Sequence, residues 1–146
     1  HTPWIILHVP KVRNTYPPQL ERYSRWMSWY IRIMKATLDW KTFESVQMEV
    51  GIIVEALPFP EAKIPAIILH VDFGVKRGIL KTSAQITDRY LCENLVGKNV
   101  VGVVNFPPKQ IGPFCSEFLL LGALDTKNGT ALITVDSDVP LGSKIA

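Results

Sequence analysis

Cysteine is nearly absent: Cys92 and Cys115 are the only two in 146 residues. Two cysteines are no disulfide framework, and neither sits in a C-x-x-C or has a histidine nearby in sequence. Neither a stapled secreted scaffold nor a metal site is expected, and a reduced, cytoplasmic protein is the simpler reading. Histidine is scarce too, and beyond residue 33 only His70 remains. G-x-S-x-G, G-x-x-x-x-G-K-[ST] and H-E-x-x-H do not occur, and the Ser116-Glu117 pair has no base at a recognisable spacing. The convergent reactive groups of an enzyme are missing, so no catalytic residue and no cofactor is expected. No run approaches the ~18 apolar residues of a membrane span.

Charge is unevenly spread. The formal net charge is +3, yet residues 1–33 hold Lys11, Arg13, Arg22, Arg25 and Arg32 against Glu21 alone. The remainder therefore has 11 basic and 12 acidic groups, a balance of −1. Bulk basicity is no argument that this part binds nucleic acid, and no DNA partner is expected. The apolar fraction of 47% is enough for the core of one domain.

Residues 48–146 read mostly as strand. Val50, Ile52, Val54 and Ala56 alternate with Gly51, Ile53, Glu55 and Leu57 until Pro58 and Pro60 end the strand. Ile67, Leu69, Val71 and Phe73 share one face of a second strand, with His70 and Asp72 on the other, where a solvent-exposed histidine is the plain reading. Ile79–Ile86 returns as a third strand, and Leu91–Val96 reads as a short helix stopped by Gly97. Val100–Phe106 and Phe118–Gly122 are two further strands, apolar on both faces. Asp125–Gly129 makes a last hairpin turn before Thr130–Val135. Five strands with a short helix between the third and fourth describe an all-β OB-fold barrel.

The stretch between the last two strands is the most informative. Pro107, Pro108, Gly112 and Pro113 build a rigid loop that carries Lys109, Gln110, Ser116 and Glu117. The run VVNFPPKQIGPFCSE, together with EALPFPEAK at Glu55–Lys63 and KTSAQIT at Lys81–Thr87, resembles the motifs of the CsaA proteins. These are small bacterial and archaeal relatives of the tRNA-binding domain appended to some aminoacyl-tRNA synthetases. The likeness runs in register from about Met34 to Ala146. It implies a five-stranded OB-fold with short helices over 34–146, preceded by an N-terminal extension over 1–33.

It also implies a binding surface for RNA or peptide built from Ser83, Gln85, Asn105, Lys109, Gln110, Phe114 and Ser116. Amide and hydroxyl groups suit base edges, a lysine suits phosphate and a phenyl ring offers a stacking face. A duller role stays open for several. Gln85, Asn105 and Ser116 are equally suited to satisfying backbone groups, and Phe114 to filling a gap at a subunit contact. The family is dimeric, and Val101, Val103, Phe118 and Leu120 are the expected interface, because a small barrel has only one interior to bury two apolar faces.

The departures from the pattern point one way. Where relatives commonly show basic residues this chain has Glu49, Ile64, Ile68 and Leu80, and Ile67 replaces a usual aromatic, while Lys63 and Lys81 remain. Fewer cations weaken the phosphate term of nucleic-acid affinity, and an apolar face suits extended peptide. The expected function is a non-enzymatic, homodimeric chaperone holding unfolded export precursors, with weakened tRNA binding. The alternative is a tRNA-binding protein acting as a trans cofactor of synthetases.

The extension has no counterpart in the resembled family. It carries Trp4, Trp26 and Trp29, and the chain opens on His1, as a fragment or a processed form would. Leu20, Tyr23, Met27, Tyr30, Ile31 and Met34 fall on one face of a helix over Gln19–Lys35, with Arg22, Arg25, Ser28 and Arg32 opposite. Two readings stand: a basic amphipathic helix that meets a membrane or a partner, or upstream sequence read as protein with an accidental pattern.

Overall fold

The structure, a computed structural model, describes residues 37–146. The expected helix over 19–35 and the extension over 1–33 lie outside them. The described residues fall into two units, 37–45 and 46–146, taken separately.

The first unit holds a short helix, α1 (Trp40–Glu44). Asp39 caps it, its carboxylate accepting from the Thr42 N–H at 2.8 Å. The rings of Trp40 and Phe43 meet edge to face at 6.4 Å.

The second unit is a nearly closed antiparallel barrel. Its five strands are β1 (Met48–Pro58), β2 (Ile67–Asp72), β3 (Ile79–Ala84), β4 (Asn99–Val103) and a fifth, Leu119–Leu120, in the order third, second, first, fourth, fifth. The proline loop is itself a hairpin, β5 (Lys109–Ile111) and β6 (Phe114–Ser116), so the fifth barrel strand becomes β7. Gly112, at a φ of +57°, supplies the hairpin's left-handed turn position. The final hairpin is β8 (Gly122–Ala123) and β9 (Ala131–Leu132), joined by a turn in which Asp125 accepts from the Lys127 N–H at 2.9 Å. The helix expected at 91–96 is a single 3₁₀ turn, Cys92–Asn94. The segment after Pro140 runs back along the first half of β1, exchanging backbone bonds between Val50 and both Gly142 and Ser143.

The alternation in β1 is not uniform. A bulge between Ile53 and Glu55 shifts the register against β2. Gly51 and Ile53 pack inward before it and Ala56 after it, and Val54 is left 40% exposed. The core joins Ile53, Leu69, Val71, Val100, Leu120 and the edge-to-face pair Phe73–Phe118, whose centroids lie 5.0 Å apart. Gly102 lies against that pair. A Cβ there would meet Phe118 Cδ2 at 2.7 Å and Phe73 Cζ at 3.0 Å.

Val101, Val103, Phe118 and Leu120 are buried within the single chain, with exposures of 3%, 4%, 0% and 1%. Phe118 and Leu120 belong to the barrel interior. For these four the cover already comes from the same chain.

The barrel closes at a seam between β3 and the chain just before β7, and the seam uses side chains. The Ser83 N–H donates to Ser116 Oγ at 3.3 Å, and the Lys81 N–H donates to Glu117 Oε1 at 3.2 Å. One backbone bond, Glu117 N–H to Lys81 O at 2.8 Å, completes it, and Thr82 Oγ1 donates to Phe118 O at 2.9 Å.

Candidate functional site

The outward face of β1, β2 and β3 is a grid fixed by register. Leu57, Ile68 and Ser83 form one row, Glu55, His70 and Lys81 the next, and Asp72 with Ile79 follows. Inward residues of β2 are buried and outward ones half-buried, in strict alternation. His70 is thus half-buried, not solvent-exposed as its strand position alone suggests.

Three buried polar side-chain atoms among the described residues have no hydrogen-bond partner: His70 Nδ1, Ser83 Oγ and Gln85 Nε2. His70 and Ser83 stand in adjacent rows of that face, and Gln85 follows two residues beyond Ser83. His70 Nδ1 lies 3.6 Å from Glu55 Oε2, too far for a hydrogen bond. Unsatisfied buried polar atoms are uncommon and costly, and these three lie on β2, on β3 and just past the end of β3.

The β5–β6 hairpin stands beside this face. Phe114 meets Phe59 edge to face at 5.5 Å, and Lys81 Nζ lies 5.2 Å from the Phe114 centroid. Phe59, Ala66 and Ile111 form a second small core beneath the hairpin, with Ile68 and Phe114 packed against it. Gln110 Nε2 donates to the Gly112 carbonyl at 2.7 Å and ties the tip. A pocket of about 110 Å³ opens beside the tip, with Ser83, Ile64 and Ile111 among its walls.

The structure separates the residues expected in the site. Ser83, Gln85, Phe114 and Ser116 lie where β3 meets the hairpin, Ser83 and Ser116 being fully buried. Ser116 Oγ is engaged in the seam. Asn105 is exposed, and its Oδ1 accepts from the Gln47 N–H at 3.0 Å, at the far end of β4. Lys109 and Gln110 are exposed on β5.

His70 and Phe59 are not among the residues the sequence places in the site, and Lys81 enters there only as a cation that remains. The register of β2 against β3 would have revealed His70, since it sets His70 opposite Lys81. The two prolines flanking Phe59 mark a turn that holds its ring under the hairpin.

The four positions expected from the resemblance to be basic, Glu49, Ile64, Ile68 and Leu80, behave differently from one another. Glu49 holds Arg77 in a two-point ion pair, at 2.9 and 2.8 Å, which raises the Arg77 pKa through that hydrogen bonding. Ile64 is 49% exposed and Ile68 is half-buried on the outward face. Leu80 packs against the barrel core instead, opposite Val71, and is not part of the face.

Among the described residues no group of three or more metal-ligating side chains occurs, and no helix is long and apolar enough to cross a membrane. The fold is an OB-type barrel, and its outward face is polar, aromatic and cationic. The chain belongs to the family described as putative tRNA binding domain, whose model matches residues 48–144. It is 36% identical over 109 residues to the methionine–tRNA ligase of Methanocaldococcus jannaschii, covering 74% of this chain and 16% of the ligase. The Protochlamydia amoebophila ligase is 33% identical over 114 residues, covering 78% of this chain and again 16% of the ligase. The chain thus spans about a sixth of the length of these relatives.

Among solved structures, the chaperone CsaA of Bacillus anthracis superposes with a TM-score of 0.72 at 39% identity, over 75% of this chain and 99% of that one. The CsaA chaperone of Picrophilus torridus gives 0.71 at 44%, over 75% and 100%. The resemblance to CsaA seen in the sequence therefore extends to the fold.

Proposed function

We propose that this barrel binds tRNA without covalent chemistry, through the outward face of β1–β3 and the flank of the β5–β6 hairpin. The observation that carries the reading is the set of unpartnered polar atoms, His70 Nδ1, Ser83 Oγ and Gln85 Nε2, next to the Lys81–Phe114 pair. Exposed nucleotides offer what this surface lacks: base edges that donate and accept, a π-face for Phe114 and a phosphate for Lys81. Capping of the Lys81 and Ser83 N–H groups by Glu117 and Ser116 bears on the rival. A peptide adding itself to the β3 edge would find those two donors taken. The likeness to the portion of methionine–tRNA ligases covered here supports the same reading.

A second reading is a homodimeric chaperone that holds unfolded export precursors. Its support is the apolar share of the face, where Leu57 is 41% and Ile79 57% exposed, with Ile64 nearby in the loop, and a likeness that spans the CsaA chaperones and 75% of this chain. Labelled tRNA and an unfolded export precursor, each titrated at low and high salt, separate the two. Salt-sensitive tRNA binding with weak, salt-insensitive precursor binding is expected; the reverse pattern overturns the order.

A further inference from the structure

The pocket beside the hairpin tip has walls of one character and a floor of another. Phe59, Ile64 and Ile111 make it apolar, and Ser83 contributes a buried side chain whose hydroxyl has no partner. The flanking loop adds one charge of each sign, Glu61 and Lys63, both exposed. A mouth so balanced does not select an anion. It selects a neutral group that is flat or apolar and carries a hydrogen-bonding edge.

We propose that this pocket receives a single pyrimidine base of a single-stranded stretch of the RNA. The proposal rests on the tRNA-binding reading above and gives it a base preference. Size supports a single ring. A closed apolar cavity of about 150 Å³ holds one benzene, and this pocket, open on one side, has about 110 Å³. A purine's second ring would have to remain outside. An aliphatic or phenyl side chain of a peptide would leave Ser83 Oγ unpaired, as it is in the free chain, whereas a base edge can supply the missing partner. A pyrimidine presents carbonyl, ring nitrogen and exocyclic groups in one plane, and a hydroxyl can donate to or accept from any of them. Phe114, packed on Phe59, and Lys81 over its ring stand beside the pocket, where the next base and its phosphate would run.

The test uses the full chain with tRNA and with single-stranded oligo(U), oligo(C) and oligo(A) of about eight nucleotides. Oligo(U) and oligo(C) are expected to bind several-fold more tightly than oligo(A). Ser83→Ala, which removes a hydroxyl that bonds to nothing in the protein, should lower pyrimidine-oligomer affinity about three- to tenfold and leave oligo(A) unchanged. Ile64→Trp, at a half-exposed wall, should abolish the base preference while tRNA is still bound through its phosphates. Equal binding of all three oligomers, or a preference that survives Ile64→Trp, overturns the pocket assignment even if tRNA binds. Competition by an unstructured peptide that Ile64→Trp abolishes, without base preference, assigns the pocket to a side chain and also overturns it. Failure of tRNA and every oligomer to bind would instead overturn the reading on which the pocket rests.

Discussion

The backbone N–H of Ser83 points at the hydroxyl oxygen of Ser116, 3.3 Å away, where an ordinary ladder would place a carbonyl. Both residues are fully buried. Ser116→Ala leaves that N–H without its acceptor, a loss of about 1–3 kcal/mol. The melting temperature should fall by roughly 4 °C or more, since about 4–8 °C accompanies each kcal/mol in a domain of this size. Calorimetry on the purified variant checks this, and an unchanged Tm would mean that the seam is held elsewhere.

Gly102 is required by its neighbours and not by its backbone. Gly102→Ala drives a methyl to within 2.7 Å of the Phe118 ring and 3.0 Å of Phe73. Overpacking of this kind costs about 1–3 kcal/mol. Urea unfolding should show a lower midpoint with an unchanged slope.

Lys81 and Lys109 should each contribute to tRNA affinity and to its salt dependence. Replacing either with alanine should weaken binding and reduce the slope of log affinity against log salt by about 0.7 to 0.9. Ile64→Lys should strengthen binding and steepen the slope, because Ile64 is half-exposed beside the proposed face, whereas Ile68→Lys should also cost stability, since Ile68 packs on the second small core. Leu80→Lys is a poor companion, since Leu80 packs on the core and its replacement should cost stability. Filter binding at several salt concentrations reads all of these.

Asp125 gives a pH dependence of known sign. The Lys127 N–H first, and then Asn128 through its side chain and backbone, hold its carboxyl below the ordinary value, with Arg89 a smaller contributor at 3.0 Å. A carboxylate depressed on folding contributes stability that is present above the unfolded value of about 3.9 and lost as pH falls through the lower folded value. Asp125→Asn should therefore flatten the acid side of a Tm–pH curve between roughly pH 5 and pH 2. Parallel curves for the two proteins would remove Asp125 from the account.

The mass of the full chain in solution bears on the chaperone reading. Light scattering at micromolar concentration should give twice the chain mass if it dimerises. Val101→Ala and Val103→Ala should lower stability without splitting that dimer, because both side chains are buried within one chain.

The barrel was readable wherever periodicity was strong. The inward series Ile67, Leu69, Val71 and Phe73 lies buried as its alternation predicts. β1 was less legible, because nothing in MEVGIIVEALP announces a bulge, and the residues that turn inward change parity across it. The proline-rich loop concealed a hairpin because its paired segments are only three residues each, too short for any periodic signal. Two apolar strand faces suggested a subunit contact, but local pattern cannot say whether the rest of the same chain covers them. The site was partly legible for a related reason. Motif residues such as Ser83 and Gln85 were marked, whereas His70 acquires meaning only from the register that sets it between Glu55 and Lys81.

Ser116 ends the second strand of the hairpin, and Glu117 follows it directly. The hairpin whose turn lines the pocket, through Ile111 and Gly112, thus runs directly into the residues that fasten the barrel shut. Whatever grips the hairpin in its seated position also holds the latch closed, so occupancy and global stability share one free-energy cycle. Conversely, a hairpin pulled away would unzip the seam behind it. On the proposed reading, the hairpin that flanks the binding face is, mechanically, also the clasp of the fold.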